Sequence, residues 1–241
     1  AFPTGRIEGE KTYFGELISV GDHEVIISDE ATRLLVHENS APGATDWDET
    51  AGSDVIDGYN PMAFCPEGTD DIYVVNTKKV TYESLLFSRS DDGGETWAVN
   101  EYVLPFTEEA YGIEQVNPDC YQITVNGNDV YVLYGANFCD LILMHSTDRG
   151  NPGTWSYQVL VDFPINNYLG AAGQTSDWDG DGDKDTIYTN DGMMEMLITD
   201  DGDVHVFCGR MRIYDPTTAA GYFYIPKTDG MYYWHTGMGA A

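Results

Sequence analysis

Hydrophobic and polar residues alternate along much of this chain, which is the pattern of β-strands with one buried face. One unit recurs three times: a Gly/Asn/Asp-rich turn is followed by an aspartate and an alternating or apolar run at residues 71–75, 129–135 and 203–209. A further apolar run follows each of these, at residues 85–87, 141–144 and 222–225, and then Trp97, Trp155 or Trp234. Each copy reads as a hairpin plus a third strand, joined by tight turns.

A weaker copy precedes these three. Its first two runs, 17–20 and 24–28, are joined by a turn at Gly21-Asp22, and its third run is 32–36. The second strands of the clear copies begin at 71, 129 and 203, which gives steps of 58 and 74 residues. A compact propeller blade needs about 40–50 residues, so the longer step predicts an insertion around residues 170–190. Helical periodicity is confined to the short segment 107–115.

The repeat predicts an all-β β-propeller of four-stranded antiparallel blades, forming a single domain over residues 1–241. Three blades are clear and one is weak, whereas a closed propeller usually has at least four. The chain is therefore expected to be either a small propeller or part of a larger one.

Two of the predicted turns share the pattern Ser-x-Asp-x-Gly-x-Thr-Trp. The first copy consists of Ser90, Asp92, Gly94, Thr96 and Trp97, and the second, with two additional residues, of Ser146, Asp148, Gly150, Thr154 and Trp155. A degenerate third copy is predicted at Thr228-Asp229-Gly230, ahead of Trp234. Short Ser and Asp side chains bond to turn amides, Gly supplies a positive φ, and Trp buries a large ring.

This pattern resembles the Asp-box (BNR) repeats of bacterial sialidases and related propellers, over roughly residues 60–236. The resemblance implies that each Asp-box turn joins the third and fourth strands of a blade, on the side away from the active site. Its residues would then be structural and not catalytic. The last copy also looks, more loosely, like segments of large secreted Bacteroidota surface proteins.

A calcium-binding loop is predicted from residue 177 to residue 185. Five carboxylates alternate along it, namely Asp177, Asp179, Asp181, Asp183 and Asp185. Hard oxygen ligands at alternating positions, with a glycine at the sixth, are what Ca²⁺ requires. The loop is similar to the Asp-x-Asp-Gly-Asp-Gly-x-x-Asp loops of integrin-type propellers, which implies side-chain ligation by every one of these aspartates except Asp183, which would offer its carbonyl. A flexible acidic loop is the alternative.

The charge of the chain limits its partners. Eleven Lys+Arg against 41 Asp+Glu leave a net charge of −30, which repels nucleic acid and anionic lipid and attracts cations. Adaptation to salt would produce the same composition. No apolar run is long enough to span a membrane, and the first residues look like the start of a processed chain. These features predict a secreted, extracellular or cell-surface protein without nucleic acid partners or membrane insertion.

The four cysteines lack the spacing of a zinc site. They are expected to form up to two disulfides, with Cys120 and Cys139 the first pair to test, or to be buried free thiols, as the alternation around Cys208 suggests.

The candidates for catalysis are few. The sialidase resemblance would require three arginines around a substrate carboxylate, and the chain has six arginines, of which Arg89 and Arg149 lie in or beside the Asp-box turns. Arg6 and Arg33 match no motif. Arg210 and Arg212 alternate along one strand and are the best candidates for binding an anionic ligand, although salt bridges to the abundant acids are the simpler interpretation. The histidines show no metal-binding spacing.

These observations favour a non-catalytic, calcium-stabilised β-propeller that binds a glycan or protein at the cell surface. Tyrosine-bearing segments at 111–115 and 166–168 would supply contacts to a sugar or a protein, or alternatively pack against their own blades. One alternative is a sialidase-like exo-glycosidase. A second is a structural subunit of an extracellular filament or adhesin that self-assembles through open blade edges.

Overall fold

The computed structural model describes the chain in discontinuous ranges. They are residues 15–20, 23–30, 33–49, 56–57, 59–77, 84–105, 120–136, 139–164, 177, 180–182, 185–214, 223–228 and 230–238. Segment 107–115, where helical periodicity was noted, and segment 166–168 lie outside them, as do Arg6, Asp179 and Asp183.

Seventeen strands make up the regular structure of the described residues. In chain order they are β1 (Gly15–Val20), β2 (His23–Glu30), β3 (Arg33–Glu38), β4 (Asp48–Glu49), β5 (Ile56–Asp57), β6 (Tyr59–Phe64), β7 (Ile72–Thr77), β8 (Leu85–Ser90), β9 (Val99–Val103), β10 (Tyr121–Asn126), β11 (Asp129–Tyr134), β12 (Leu141–Ser146), β13 (Trp155–Val161), β14 (Thr186–Ile198), β15 (Val204–Tyr214), β16 (Phe223–Tyr224) and β17 (Gly230–His235). None of the described residues is helical. No helix there is long and apolar enough to cross a membrane.

The strands form four sheets in which sequence neighbours pair. Two have the orders β6-β7-β8-β9 and β10-β11-β12-β13, and a third contains β1-β2-β3-β4 with β5 also on β3. The fourth contains β14, β15, β16 and β17. The strand pairs are antiparallel in the sheet of β1–β5, in the sheet of β6–β9 and in the sheet of β14–β17. The predicted fold class, an all-β chain of four-stranded antiparallel β-propeller blades, is therefore confirmed. The weak first copy is also real, since β1, β2 and β3 cover its three predicted strands.

The chain divides into two compact units. The first comprises residues 1–132 and 145–156, and the second comprises residues 133–144 and 157–241. In the first unit, a fully apolar core joins the sheet of β1–β5 to the sheet of β6–β9. It includes Val25, Val36, Ile72 and Val74, each without exposed surface, and Trp97 packs against it. Alternating β-branched residues with one face turned to a neighbouring sheet account for this core.

The second unit contains the sheet of β14–β17, and here one prediction is wrong. Trp234 was expected to follow an Asp-box turn, in the fourth strand of its blade. It lies instead in β17, where it pairs with Val206 of β15. Because β16 and β17 both pair with β15, one after the other along it, residues 223–235 together fill the third-strand position. The predicted third Asp-box turn therefore falls between two segments of the third strand and does not follow that strand, and its Asp229 lies outside the described residues.

All four cysteines are free thiols, and Cys120, Cys139 and Cys208 are buried. The prediction that some of them form disulfides is not met in this structure. Burial raises the pKa of the Cys208 thiol to about 12, and the nearby charge of Asp191 acts in the same direction. This thiol is therefore a core residue and not a reactive group.

Candidate functional site

The first predicted Asp-box turn connects β8 to β9 and is closed by its own side chains. The buried Ser90 hydroxyl accepts the Gly94 N–H at 2.8 Å and donates to Asp92 at 2.8 Å. Asp92 accepts both the N–H (2.8 Å) and the hydroxyl (2.6 Å) of Thr96. Although desolvation opposes it, this set of hydrogen bonds holds the pKa of Asp92 below its usual range. Every polar position of the pattern thus has a structural partner, as a fold marker requires.

The second turn, between β12 and β13, keeps the serine contact but rearranges the rest. Ser146 accepts the Gly150 N–H at 3.0 Å, and its hydroxyl lies 2.6 Å from that of Thr154. The Trp155 indole donates to the Gly150 carbonyl at 3.0 Å. The two additional residues therefore move the threonine from the aspartate to the serine. The relationship of these turns to sialidase repeats stays a prediction.

Two arginines tie these turns together within the first unit. Arg149 donates to Asp71 at 2.8 Å and to Asp91 at 2.9 Å. Arg89, whose side chain is 7% exposed, donates to the Arg149 carbonyl at 2.6 Å and forms an ion pair with Asp91 at 2.7 Å. Both guanidinium groups are engaged by structural partners, so they are explained without a ligand.

The pair Arg210 and Arg212, predicted as an anion-binding candidate, has a different environment. Both lie on β15, opposite Asn190 and Tyr188 of β14. Their guanidinium carbons lie 4.8 and 5.0 Å from the centre of the Tyr188 ring. Each Nε is buried without a hydrogen-bond partner among the described residues. Within those residues, stacking on tyrosine takes the place of the expected salt bridges, and no carboxylate forms an ion pair with either guanidinium group.

A buried carboxyl group, Asp140, lies in the same unit, directly before β12. It is 3% exposed, and its Oδ1 accepts the Phe163 N–H at 2.9 Å. Desolvation raises its pKa to about 6, although the Phe163 hydrogen bond acts against this, and the charge of Asp162 adds to the rise. Asp140 is therefore the described carboxyl group best suited to remain protonated near neutral pH.

Ring contacts and one hydrogen bond connect Asp140 to the arginine pair. Phe163 meets the Tyr232 ring edge to face at 5.4 Å, and the Arg210 guanidinium lies 5.6 Å from the centre of that ring. Asn190, at a bulge of β14, donates to the carbonyl of Cys139, the neighbour of Asp140. We call this set the acid–arginine cluster: Asp140, Phe163, Tyr188, Asn190, Arg210, Arg212 and Tyr232.

Sequence reasoning found the arginines of this cluster and missed Asp140. The only sequence signal is an acidic residue placed directly before the apolar run 141–144. With 41 acidic residues in the chain, that signal could not be separated from the background. Tyr232 and Asn190 were not distinguishable either, because strand pairing between distant segments brings them to the arginines.

The predicted calcium loop is described at Asp177, at 180–182 and at Asp185. Gly180 and Gly182 have φ values of 79° and 93°, and the Gly182 N–H donates to Asp177 Oδ2 at 3.0 Å. This is a tight turn around a carboxylate, which the alternating Asp and Gly residues permit. Among the described residues, no group of three or more His, Cys, Asp or Glu side chains is placed to hold a metal ion. The loop's aspartates 179 and 183 lie outside the described residues.

No protein-family profile and no curated protein matches this chain. Solved structures with a similar backbone include a Bacteroides ovatus GH43B from a xyloglucan utilisation locus, 11% identical, with a TM-score of 0.44 over 88% of this chain and 40% of that one. An engineered GH43 enzyme with endo-xylanase and exo-arabinofuranosidase activity is 13% identical, with a TM-score of 0.46 over 90% and 40%. An α-L-arabinofuranosidase from Lactobacillus brevis is 12% identical, with a TM-score of 0.47 over 91% and 70%. This chain spans about 40% of the first two proteins.

These neighbours are glycoside hydrolases, which contradicts the leading sequence-based prediction of a non-catalytic binding or assembly module. That interpretation is corrected accordingly. Identities of 11–13% do not indicate which residues of this chain act or on what substrate.

Proposed function

We propose that this chain carries part of a glycoside hydrolase site, with Asp140 as the general acid and the Arg210–Arg212 pair as a substrate-binding element. The observation that carries the proposal is the buried Asp140, whose pKa is raised to about 6. Glycoside hydrolysis needs a carboxyl group that is still protonated at working pH and can donate its proton to the leaving oxygen.

The surroundings of Asp140 support this role. The ring of its backbone partner Phe163 contacts Tyr232, and the half-buried Tyr232 ring offers a surface on which a sugar ring can stack. The guanidinium groups of Arg210 and Arg212 stack on Tyr188 and have no carboxylate partner among the described residues. They can therefore donate hydrogen bonds to the hydroxyl or carboxylate oxygens of a substrate.

The experiment measures hydrolysis of a panel of neutral and acidic aryl glycosides, a fluorogenic sialoside included, by the wild-type chain and by Asp140→Asn. Asparagine keeps the acceptor for the Phe163 N–H but cannot donate a proton as an acid. We expect the variant to lose about 10²–10⁴-fold in rate. A wild-type chain inactive on the whole panel, or an Asp140→Asn variant as active as the wild type, would refute the proposal.

Asp162→Asn is the matched control. Because the charge of Asp162 helps to raise the pKa of Asp140, removing it lowers that pKa. Activity that depends on protonated Asp140 falls as the pH rises through about 6, and in Asp162→Asn this fall moves to lower pH with the maximal rate retained. An unshifted profile would show that a different group supplies the proton.

Thermal unfolding separates loss of chemistry from loss of folding. The pKa of Asp140 is higher in the folded protein than its usual value of 3.8, so its ionised form destabilises the fold. The protonated form's stabilising contribution is complete below about pH 4 and is lost as the pH rises through about 6. We therefore expect Asp140→Asn to melt above the wild type at pH 8, with the difference vanishing near pH 4.

Calcium binding by the loop 177–185 is a second part of the proposal. Two positive-φ glycines, Gly180 and Gly182, form a turn in which the Gly182 N–H donates to Asp177. Asp181 and Asp185 continue the alternation of carboxylates that calcium-binding loops have in sequence. Since β14 begins at Thr186, immediately after the loop, bound calcium would fix the start of the strand that carries Tyr188 and Asn190. Its role is to order the acid–arginine cluster and not to take part in proton transfer.

A further inference from the structure

The exposed face of the sheet formed by β14, β15 and β17 brings together two histidines that are 30 positions apart in the chain. His205 of β15 lies directly opposite His235 of β17 in the antiparallel register. Their ring centroids are 5.8 Å apart, with planes inclined by 22°. Both residues are half-exposed, so their rings can be reached from solvent.

The Nδ1 atom of each ring lies near a polar group, and the Nε2 atom of each ring points to no such group in the described part of the chain. His205 Nδ1 lies 2.8 Å from the Tyr233 hydroxyl, and the Gly237 N–H lies 3.4 Å from His235 Nδ1. Neither Nε2 atom has a hydrogen-bond partner among the described residues. Metal-binding histidines characteristically bind through one ring nitrogen while a polar group holds the other.

We propose that His205 and His235 form a two-histidine chelate for a late first-row divalent cation, with Cu²⁺ as the ion bound most tightly. Imidazole nitrogen is the protein donor that suits Cu²⁺, Ni²⁺ and Zn²⁺, and affinity rises toward Cu²⁺ along this series. Water completes the coordination shell, because no group of three or more His, Cys, Asp or Glu side chains suited to a metal occurs in the described part of the chain. The net charge of −30 raises the local concentration of cations.

Chelation requires the two rings to rotate toward each other. Two nitrogens bound to one metal at about 2.0–2.1 Å lie within about 4 Å of each other, and the ring centroids are 5.8 Å apart. At His235 the proton moves from Nε2 to Nδ1, which gives up the contact from the Gly237 N–H. At 3.4 Å that contact is too long to be a strong hydrogen bond. In the metal-binding tautomer, His205 Nδ1–H donates a hydrogen bond to the Tyr233 hydroxyl, 2.8 Å away, and the Nε2 lone pair is available to the metal.

This site goes beyond the proposed glycosidase and is independent of it, since neither histidine belongs to the acid–arginine cluster. The test is a Cu²⁺ titration of the whole chain in the presence of saturating Ca²⁺, which keeps the acidic loop occupied. We expect one Cu²⁺ whose electron paramagnetic resonance spectrum shows two coordinated nitrogens. His205→Gln and His235→Gln should each bind at least about tenfold more weakly, because either change removes the chelate.

His145→Gln is the control. His145 pairs with Asp129 at 2.6 Å and stacks on Tyr131, and neither partner belongs to the histidine pair, so its loss should leave Cu²⁺ affinity unchanged. Stabilisation of the fold by Cu²⁺ is the second measurement: melting should rise with Cu²⁺ in the wild type and in His145→Gln, and not in the other two variants. Wild-type affinity in either His205→Gln or His235→Gln, or a spectrum with a single nitrogen, would overturn the proposal.

Discussion

Two glycines of the second Asp-box turn look alike in the sequence but differ in the space around them. Gly150 and Gly153 lie in the same turn, with φ values of 76° and 83°. A Cβ at Gly150 would lie 2.3 Å from the Phe87 ring, whereas a Cβ at Gly153 would meet nothing within 4 Å. Phe87 also meets Trp155 edge to face at 5.1 Å. Gly150 therefore lets an aromatic ring of the neighbouring sheet pack directly on the backbone.

Gly150→Ala should be much more destabilising than Gly153→Ala. Both substitutions place an alanine at positive φ, which costs about 1–2 kcal/mol, but only the first also forces the Phe87 ring to move, which adds about 1–3 kcal/mol. Denaturant unfolding of the two variants measures the difference directly. Equal losses of stability would show that the Phe87 contact does not limit this position.

At the scale of elements, β14 begins at Thr186, directly after the proposed calcium loop 177–185. β14 is paired with β15 over most of its length and is interrupted by a register shift between Asn190 and Met194. The Asn190 side chain caps this bulge by accepting the Gly192 N–H at 2.8 Å and also reaches Cys139. Bulges re-aim side chains within a sheet, and here the bulge turns Asn190 into the acid–arginine cluster.

Removal of calcium by a chelator should therefore destabilise the loop 177–185 and the start of β14. We expect EDTA to lower the melting temperature of the wild type at low salt, because uncompensated carboxylates within nine residues repel each other. Asp179→Ala should melt lower and no longer respond to EDTA. Asp201→Ala, in the exposed turn between β14 and β15, is the control and should keep the full response. A wild type that ignores the chelator would rule out a structural calcium ion.

At the scale of the whole molecule, the net charge of −30 destabilises the folded protein through repulsion. The described ion pairs use few of the acidic residues, and the most connected group is Arg149 with Asp71 and Asp91. Repulsion among the remaining carboxylates opposes compaction and is screened by salt over a distance of about 10 Å at 0.1 M. Salt is thus expected to contribute to stability independently of calcium.

Sodium chloride should raise the melting temperature of the calcium-saturated protein over the range from low salt to about 0.5 M, with most of the gain at the low end, where screening changes fastest. Choline chloride should have the same effect if ionic strength is the cause, whereas sucrose at matched osmolality should not reproduce the low-salt rise. A melting temperature independent of ionic strength would show that the acidic surface does not destabilise the folded protein.

The features that the sequence determined are local ones. The hairpins around 126–129 and 198–204, the strands of the first copy, and the bonding of Ser90 and Asp92 within one turn depend on residues a few positions apart, where alternation and turn chemistry suffice. The arginine pair was visible for the same reason, since alternation places Arg210 and Arg212 on one face of a strand.

Tertiary structure alone decided the rest, because it depends on which distant segments pair. Trp234 lies in a third strand and not after an Asp-box turn since β17 continues β16 along β15. The pairing that sets this register also brings His235 opposite His205. Asp140 acquires its raised pKa only through burial beside Phe163, and Arg210 its ring contacts only from tyrosines on two other strands. Composition cannot reveal such contacts, since a carboxyl or guanidinium group takes its chemistry from the neighbours that folding gives it.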